Sequence, residues 1–483
     1  MNNDMTKTKR NLILFTACIS TFMSTLDGSI VNITLPVISK YFSVNINSVQ
    51  WVVTAYLLAI SSILLIWGKI SDIYGKKYLF AAGLAVFTVG SMLCGVSTSL
   101  SMLIFSRILQ AIGASITMAL VQGIVTSIFP STERGKALGI IGTVVAIGSL
   151  AGPALGGILV HLAGWRSIFF VNIPFGIAGI VLALLLMPKT ELKAVNKSFD
   201  IRGSVIFVLS ISLMFIGLLS KQDGIVSTKV MLFMTAVSLL LFAAFIWYER
   251  RLANPLLDIR LFKNIKFSIS LATAYLSFLS MFSYIFFMPF YLQYVLKLNV
   301  LAAGLLMSVY PMTTAILAPV SGWLSDKKHK IPLTLIGLSI GTVSYFLLSL
   351  SNTGTSKIRL ILLVFLLGVG SAVFQSPNTS AIMGSVSRDK LGVAGSINAF
   401  FRNFGMVSGT TVSVMLFMAV TKMGISNISN GIFNADVFLK GFRVVMLTAS
   451  AFTLAAVILS AVRRKIKTEA KANTPANQVE HRV

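Results

Sequence analysis

The sequence has few charged residues and few of the residue types that bind metals or form disulfides. Charged residues make up 11% of its 483 residues, against about 25% in soluble domains. Its two cysteines, Cys18 and Cys94, fall within apolar runs, where we expect ordinary packing residues. The three histidines are scattered at His161, His329 and His481, so the sequence predicts no metal site.

Motifs for phosphate binding and covalent catalysis are also missing. The sequence contains no G-x-x-x-x-G-K-[ST] phosphate loop, which argues against ATP as an energy source bound by this chain. No nucleophile stands beside a base within an apolar run. We therefore expect neither an enzyme nor a cofactor.

Hydrophobic residues are what the sequence has in excess. They make up 56% of the chain, and the mean hydropathy is +0.87. Apolar runs of about 18 or more residues are long enough to span a bilayer as helices. They predict an all-α, multi-pass membrane protein whose first run is an uncleaved span. The fourteen predicted transmembrane helices are 12–34, 50–68, 79–97, 102–124, 137–160, 167–187, 203–220, 230–247, 267–293, 302–324, 332–350, 359–379, 393–420 and 441–462.

The strong positive charge of the chain is distributed unevenly about these spans. Forty basic residues against fourteen acidic ones give a net charge of +26, which alone could suggest a nucleic-acid partner. By the predicted spans, however, twenty-eight of the forty lie on the side of the N-terminus. Ten lie on the other side, if Arg359 and Arg443 at the outer ends of their spans are counted there. The positive-inside rule then predicts that both termini are cytoplasmic. The sequence predicts a lipid-embedded protein with no nucleic-acid partner.

Two stretches of the sequence repeat at nearly the same offset. Asp72 in "GKISDIYGKK" aligns with Asp326 in "GWLSDKKHK", 254 positions later. Residues 113–139 align with residues 370–396, 257 positions later. The chain therefore contains an internal duplication, and parallel repeats of this kind are typical of secondary transporters that bind substrate between two halves.

The duplication also divides the chain. We predict one six-helix bundle over residues 1–187 and a second over residues 267–462. Residues 188–266 form a linker that carries two additional transmembrane helices, and residues 463–483 form a basic cytoplasmic tail. Small-molecule substrate is expected at the interface between the two bundles.

One acid lies within a predicted span. Asp27 stands in "LDGSIVNITLP", whereas the other thirteen acids lie outside the predicted spans. A charged group at the bilayer centre costs about 2.5–3.5 kcal/mol, and such groups usually mark ion or proton pathways. At about 1.5 Å per residue, Asp27 and Arg107 reach similar depths. The pair is interpreted as a proton-coupling site, because burial disfavours the charged carboxylate while Arg107 favours it. A purely structural ion pair is the alternative.

Aromatic and polar residues in other spans are candidates for a substrate cavity. The ninth predicted helix is rich in aromatic residues, including Phe282 and Tyr284, which suggests a stacking wall for a flat substrate. Lipid-facing or interfacial aromatic residues are the alternative. The embedded polar residues could line the same cavity or hold helices together. They are Asn32, Gln110, Gln375, Asn378 and Arg402.

Glycines mark two further features. Gly148, Gly152 and Gly156 are spaced by four, which predicts a flat ridge where another helix approaches closely. Close packing without a selective role is the alternative. Gly75 permits a tight turn, and Asp72 can cap a helix or pair with a base.

Five stretches together carry a family resemblance over the whole chain. They are "LDGSIVNITLP", "GKISDIYGKK", "RILQAIGAS", "GSLAGPALGG" and "WRSIFFVNIPFG". The set resembles the major facilitator superfamily, and within it the fourteen-helix drug:proton antiporters of the QacA/EmrB type. The resemblance implies two six-helix bundles with two inserted helices, alternating access and proton-driven transport. It assigns proton coupling to Asp27 and Arg107, a gating loop to Gly68, Asp72, Gly75 and Lys76 with its repeat at Asp326, and an antiporter helix to Gly148, Gly152, Pro153, Gly156 and Gly157.

The function that follows is secondary active transport of a small amphipathic or aromatic compound across a bacterial plasma membrane. Proton-coupled multidrug efflux by a monomer is favoured, because the fifth helix is rich in glycine. The alternative is uptake of a nutrient or vitamin such as riboflavin, since a fold does not fix a function. A structural or sensor role is a third reading. One embedded acid favours neutral, zwitterionic or monocationic substrates.

Overall fold

The computed structural model shows a bundle of long helices. It describes residues 6–44, 46–130, 132–188, 199–222, 226–252, 255–298, 300–387, 390–422 and 434–472. Within these ranges no β-strand occurs. The α-helices are α1 (Lys7–Phe42), α2 (Ile46–Tyr74), α3 (Lys76–Gly95), α4 (Leu100–Ile128), α5 (Arg134–Ala163), α6 (Ser167–Phe170), α7 (Asn172–Leu186), α8 (Ile201–Gln222), α9 (Thr228–Glu249), α10 (Ile265–Phe290), α11 (Val300–Leu324), α12 (Lys330–Ser349), α13 (Lys357–Met383), α14 (Leu391–Thr421) and α15 (Ala435–Ala472).

In the part of the chain that the structure describes, fourteen helical spans are long and apolar enough to cross a membrane, as the sequence predicts. The short α6 and α7 together supply one span, Ser167–Leu186. Helix α10 contains Pro289, which lacks an N–H donor, and it continues into a π turn at Tyr291–Val295 to complete another.

Polar residues in the connections define where several helices begin. Ser99 Oγ accepts a hydrogen bond from Met102 N–H at 3.1 Å and so caps α4. Ser356 caps α13, and Asn264 caps α10, in the same manner. Gly75, at φ +88°, makes the tight turn between α2 and α3 that its sequence position predicts. In the second repeat, a π turn at Ser325–His329 takes that place.

Several helices run beyond their predicted ends. Helix α15 continues to Ala472, so it includes the first part of the stretch predicted as a tail. Helix α9 continues to Glu249, whose side chain is buried. The expectation that Asp27 is the one acid within a span is therefore wrong, because the span Thr228–Glu249 also contains Glu249. The predicted ends were set by hydropathy, and hydropathy does not register polar groups that are buried by their neighbours.

Packing separates the helices into two groups with a peripheral pair. Helix α1 packs on α5 and α7, and α4 packs on α2 and α3. In the second group, α10 packs on α14 and α15, while α12 packs on α13 and α15. Helices α8 and α9 pack mainly on each other, and α8 also contacts α2. The span of α9 is only 17% buried, so most of its apolar surface is left for lipid.

Contacts between the two groups are made by a few helices. Helix α5 packs along α11, and α14 packs against α2 and α4. These pairs bring the beginnings of α5 and α14 beside the ends of α11 and α2, respectively. The face at which α1 begins and α2 ends is called the terminal face below.

Candidate functional site

Asp27 and Arg107 form a buried ion pair between α1 and α4. Arg107 Nη1 lies 2.5 Å from Asp27 Oδ2, and both side chains are 0% exposed. The similar depth inferred from the sequence therefore corresponds to direct contact. A buried pair of this kind is costly to break, because removing one partner leaves an uncompensated charge.

Neutral amides complete the surroundings of the carboxylate. Gln110 Nε2 donates to Asp27 Oδ1 at 2.9 Å, and Asn172 Nδ2 donates to the same oxygen at 3.1 Å. Both amides also donate to Ser91 Oγ. Gln110 was predicted as a cavity residue, and the structure places it in this network. Asn172 and Ser91 were not predicted, although Asn172 lies in one of the five stretches that carry the family resemblance.

The guanidinium of Arg107 is held on its other sides as well. Its Nε donates to the carbonyl of Val52 at 3.1 Å, and Nη1 donates to Gln110 Oε1 at 2.6 Å. The ring of Tyr56 lies over it, with 4.0 Å from Cζ to the ring centroid. Arg107 Nη2 is buried and has no hydrogen-bond partner among the described residues. The cation is thus fixed in position, and one of its donors is spare.

The glycine ridge of α5 packs on the segment of α1 that carries Asp27. A Cβ at Gly148 would collide with Thr25, and one at Gly152 would collide with Ser29. Ser29 Oγ donates to the carbonyl of Gly148 at 3.1 Å. The predicted ridge therefore allows the close approach for which its spacing is suited.

The other members of the antiporter helix have different surroundings. Gly156 is buried, whereas Gly157 is exposed and a Cβ there would meet open space. The side chain of Pro153 lies outside the part of the chain that the structure describes.

The two repeated aspartates each bind the beginning of a helix in the opposite half. Asp72 Oδ2 accepts from Val393 N–H of α14 at 3.2 Å. Asp326 accepts from Gly135 N–H at 2.8 Å and from Lys136 N–H at 3.0 Å, both of α5. The repeat offset of 257 relates Lys136 to Val393, so the two contacts are equivalent. A carboxylate at a helix N-terminus is favoured by free N–H groups and by the helix dipole.

Close packing accompanies these two contacts at the terminal face. Gly68 lies against Ser396, and a Cβ at Gly68 would collide with that side chain. Within the first half, Lys76 Nζ donates to the carbonyl of Gly123 at 3.2 Å. Further along α5, Thr143 Oγ1 donates to the carbonyl of Ala315 at 2.7 Å. The halves are thus held together at the terminal face, which is closed in this structure.

A small cavity lies where α14 of the second half meets α1, α4 and α5 of the first half. Residues of α1, α4, α5 and α14 line it: Ser20, Thr21, Ser24, Thr25, Met118, Val121, Gln122, Ile141, Val145 and Arg402. The hydroxyls of Ser24 and Thr25 donate to carbonyls of their own helix, so they present acceptor lone pairs. Arg402 Nε is buried, and no residue in the described ranges forms a hydrogen bond with it. The cavity therefore combines one cation with hydroxyl oxygens and apolar walls.

The remaining predicted cavity residues lie elsewhere. Tyr284 is buried in the core of the second half, beside Tyr310 at 6.1 Å between ring centroids. Phe282 is half-buried, and Gln375 donates to Ser371 Oγ at 2.5 Å. The side chain of Asn32 is outside the described positions. Among the predicted cavity residues whose side chains are described, Arg402 is the one that lines this cavity.

Asn378 belongs to a polar cluster near the terminal face of the second half. Its Nδ2 donates to the carbonyl of Ser270 at 2.9 Å, and its Oδ1 accepts from Arg463 Nη1 at 3.2 Å. Arg463 also donates to Thr334 Oγ1 at 2.6 Å, and it is 1% exposed. Arg463 was not predicted, because hydropathy ended the last span one residue before it.

Sequence comparison decides the family. The profile described as "Major Facilitator Superfamily" matches residues 17–410. This chain belongs to the Major Facilitator Superfamily. It is accordingly a multi-pass membrane transporter and not an enzyme.

Curated relatives of this major facilitator protein carry transporter names. The riboflavin transporter RibZ of Clostridioides difficile is 39% identical over 399 residues, which are 83% of this chain and 86% of that protein. The multidrug resistance protein Stp of Mycobacterium tuberculosis is 31% identical and covers 83% of this chain and 74% of its own length. The multidrug transporter MdtP of Bacillus subtilis is 28% identical over 85% of this chain and 76% of its own length.

A solved structure supports the fold independently. The crystal structure of the human organic anion transporter MFSD10 matches with a TM-score of 0.67, over 93% of this chain and 99% of that chain. The identity is 14%, so this similarity concerns the fold alone. The predicted major facilitator fold is confirmed.

Proposed function

We propose that this transporter is a proton-coupled exporter of small amphipathic or aromatic compounds. The observation that carries the proposal is the position of Asp27 on α1. Ser24 and Thr25 line the cavity, Asp27 follows two residues later in a buried ion pair, and Ser29 packs on the glycine ridge. Helix α1 thus lines the cavity, carries Asp27 and packs on the α5 ridge. Protonation of Asp27 can therefore change the position of α1 at the cavity wall.

Protonation supplies the driving step in this scheme. When Asp27 binds a proton it loses its charge, and its attraction to Arg107 is lost with it. Arg107 remains beside Tyr56 and the amide of Gln110. The balance of contacts between α1 and α4 changes, and α1 carries that change to the cavity wall. The Asp27–Arg107 pair, called the dyad below, thereby links proton binding to the shape of the substrate site.

Alternating access also requires a closure that can open. Asp72 of α2 caps the beginning of α14, and Asp326 caps the beginning of α5. A cap contributes about 0.5–2 kcal/mol. Two interactions of that size favour the closed terminal face without locking it. With the terminal face in the cytoplasm of a bacterial plasma membrane, as the basic residues predict, the closed state faces outward.

The names of two relatives support export. Stp is named a multidrug resistance protein and MdtP a multidrug transporter, at 31% and 28% identity to this chain. The ridge of Gly148 and Gly152, packed directly on the α1 segment around Asp27, supports antiport of the fourteen-helix drug:proton type. The proposed transporter works as a monomer, because the residues that line the cavity all come from one chain.

Everted membrane vesicles test the direction of transport. Respiration acidifies their lumen, so an exporter is expected to accumulate fluorescent aromatic compounds from a substrate panel inside them. Nigericin, which collapses the pH gradient, is expected to release the accumulated compound. Accumulation only in right-side-out vesicles would show that the protein takes up its substrate and does not export it.

Uptake of a flavin is the second candidate. It is favoured by the 39% identity to the riboflavin transporter RibZ and by the cation in the cavity, because a flavin ring carries several hydrogen-bond acceptors.

Arg402→Gln tests this candidate through binding. The buried Nε of Arg402 has no partner in the part of the chain that the structure describes, so it is available to a ligand acceptor. A hydrogen bond to a charged group is worth about 1.5–3 kcal/mol, so the substitution is expected to weaken riboflavin binding by about 10- to 100-fold. Riboflavin fluorescence titration of purified protein measures this, with Gln375→Ala, which is outside the cavity, as control. An unchanged affinity, or no binding to the unsubstituted protein, would remove the flavin candidate.

A further inference from the structure

The two inserted helices bring a second pair of acids together at the terminal face. Helix α8 begins directly after Asp200, and α9 ends at Glu249. Because the two helices form a hairpin, their outer ends meet at the same face. Asp200 is 9% exposed and Glu249 is 2% exposed. Neither acid takes part in the network of Asp27.

Each carboxyl group uses one oxygen for a backbone contact. Asp200 Oδ1 accepts from Gly203 N–H at 3.0 Å and so caps α8. Glu249 Oε2 accepts from Leu257 N–H at 3.0 Å. The second oxygens, Asp200 Oδ2 and Glu249 Oε1, are buried and have no other hydrogen-bond partner. They lie together over Gly203, where a Cβ would collide with both, and the two side chains are within hydrogen-bonding reach of each other.

Two buried carboxylates that face each other cannot both be ionised without a large repulsion. A proton between them converts this repulsion into an O–H···O hydrogen bond and satisfies both free oxygens. No other hydrogen-bond donor reaches these two oxygens in the described ranges. The unsatisfied pair of oxygens therefore points to a proton as its ligand.

The helix ends decide which acid carries the proton. Asp200 stands at the N-terminus of α8, where a negative charge is favoured, and it accepts an N–H bond there. Glu249 stands at the C-terminus of α9, where a negative charge is disfavoured. The charged groups near the pair can balance one negative charge on it, not two. Lys69 of α2 faces the pair, and Asp258, beside Leu257, is already paired with Lys390.

We propose that Asp200 and Glu249 form a proton-binding site in which protonated Glu249 donates to Asp200 Oδ2. The site is independent of the transported compound and of Asp27. Loss of the proton would place two carboxylates side by side and draw Lys69 toward them. Lys69 follows Gly68 and precedes Asp72 on α2. The site therefore lies beside the contact between Asp72 and Val393 that joins the two halves at the terminal face.

Infrared difference spectroscopy tests the site directly. The sample is purified protein with Asp27→Asn, which removes the other buried dyad, compared between about pH 6 and pH 9, a range in which perturbed buried carboxyls titrate. A protonated-carboxyl C=O band that shifts in D₂O is expected at the lower pH. It is expected to disappear in Glu249→Gln and in Asp200→Asn, and to persist in Asp258→Asn.

Isotope labelling gives a second measurement without any change at the pair. With carboxyl-labelled [¹³C]glutamate the band is expected to move, and with carboxyl-labelled [¹³C]aspartate it is expected to stay. The absence of the band from the parent protein would overturn the proposal. So would a band that remains in both Glu249→Gln and Asp200→Asn, or one that moves only with labelled aspartate.

Discussion

Asp27→Asn is expected to abolish substrate accumulation driven by a pH gradient while leaving the protein folded. Asparagine keeps the size of the side chain and can still accept from Gln110 and Asn172, but it cannot bind and release a proton. One pH unit supplies about 1.4 kcal/mol, or roughly tenfold accumulation for each coupled proton. The accumulation ratio in vesicles with an imposed gradient is therefore expected to fall to unity.

Glu133→Gln is the matched control for this substitution. Glu133 is a partly exposed acid, 3.7 Å from Arg10, and belongs neither to the Asp27–Arg107 pair nor to the cavity. Its removal is expected to leave the accumulation ratio unchanged. Counterflow exchange, which needs no proton gradient, is expected to survive in Asp27→Asn as evidence that substrate still binds. Gradient-driven accumulation by Asp27→Asn at the unsubstituted level would exclude Asp27 as the proton carrier.

Arg107→Ala is expected to be nearly as damaging, and to reduce stability as well. Asp27 would keep two amide donors but lose its cation inside a fully buried site. Breaking a buried pair from one side typically costs about 3–5 kcal/mol. We expect transport to be lost and the thermal unfolding of the detergent-solubilised protein to shift to a lower temperature.

The double variant Asp27→Asn/Arg107→Ala shows whether this loss comes from the unpaired charge. Removing both charges is expected to restore part of the stability without restoring transport, because no unpaired carboxylate remains. Arg107→Lys keeps the positive charge and is expected to be less destabilising, although it loses the planar contact with Tyr56 and the Nε bond to Val52. Arg107→Ala with normal accumulation and normal stability would contradict the assigned roles of the pair.

The sequence was sufficient to predict the fourteen-span architecture and the contact between Asp27 and Arg107. Fourteen spans follow from hydropathy, because lipid selects long apolar helices whatever their packing. The Asp27–Arg107 contact follows from the similar depth of the two residues in the membrane. This depth can be calculated from the number of residues along each helix. The paired contacts of Asp72 and Asp326 reflect the duplication, since equivalent residues meet equivalent helix ends.

The composition of the cavity and the secondary polar clusters required the structure. Gln110 and Arg402 look alike in sequence, as polar residues inside apolar runs, yet one holds the ion pair and the other lines the cavity. Their difference depends on helix rotation, which hydropathy does not fix. The meeting of Asp200 with Glu249 depends on the hairpin of α8 and α9 and on the extension of α9 by two residues past its predicted end.

Proton movement in proteoliposomes tests the central claim most directly. Purified protein is reconstituted with a trapped pH-sensitive dye, no pH gradient is imposed, and a transported compound without acid–base chemistry of its own is added outside. Its entry is expected to make the lumen more alkaline, because one or more protons leave in exchange, and Asp27→Asn is expected to show no such change. The sign does not depend on how the protein is oriented in the membrane. A lumen that becomes acidic as the compound enters, or substrate entry without any proton movement, would contradict proton-coupled antiport.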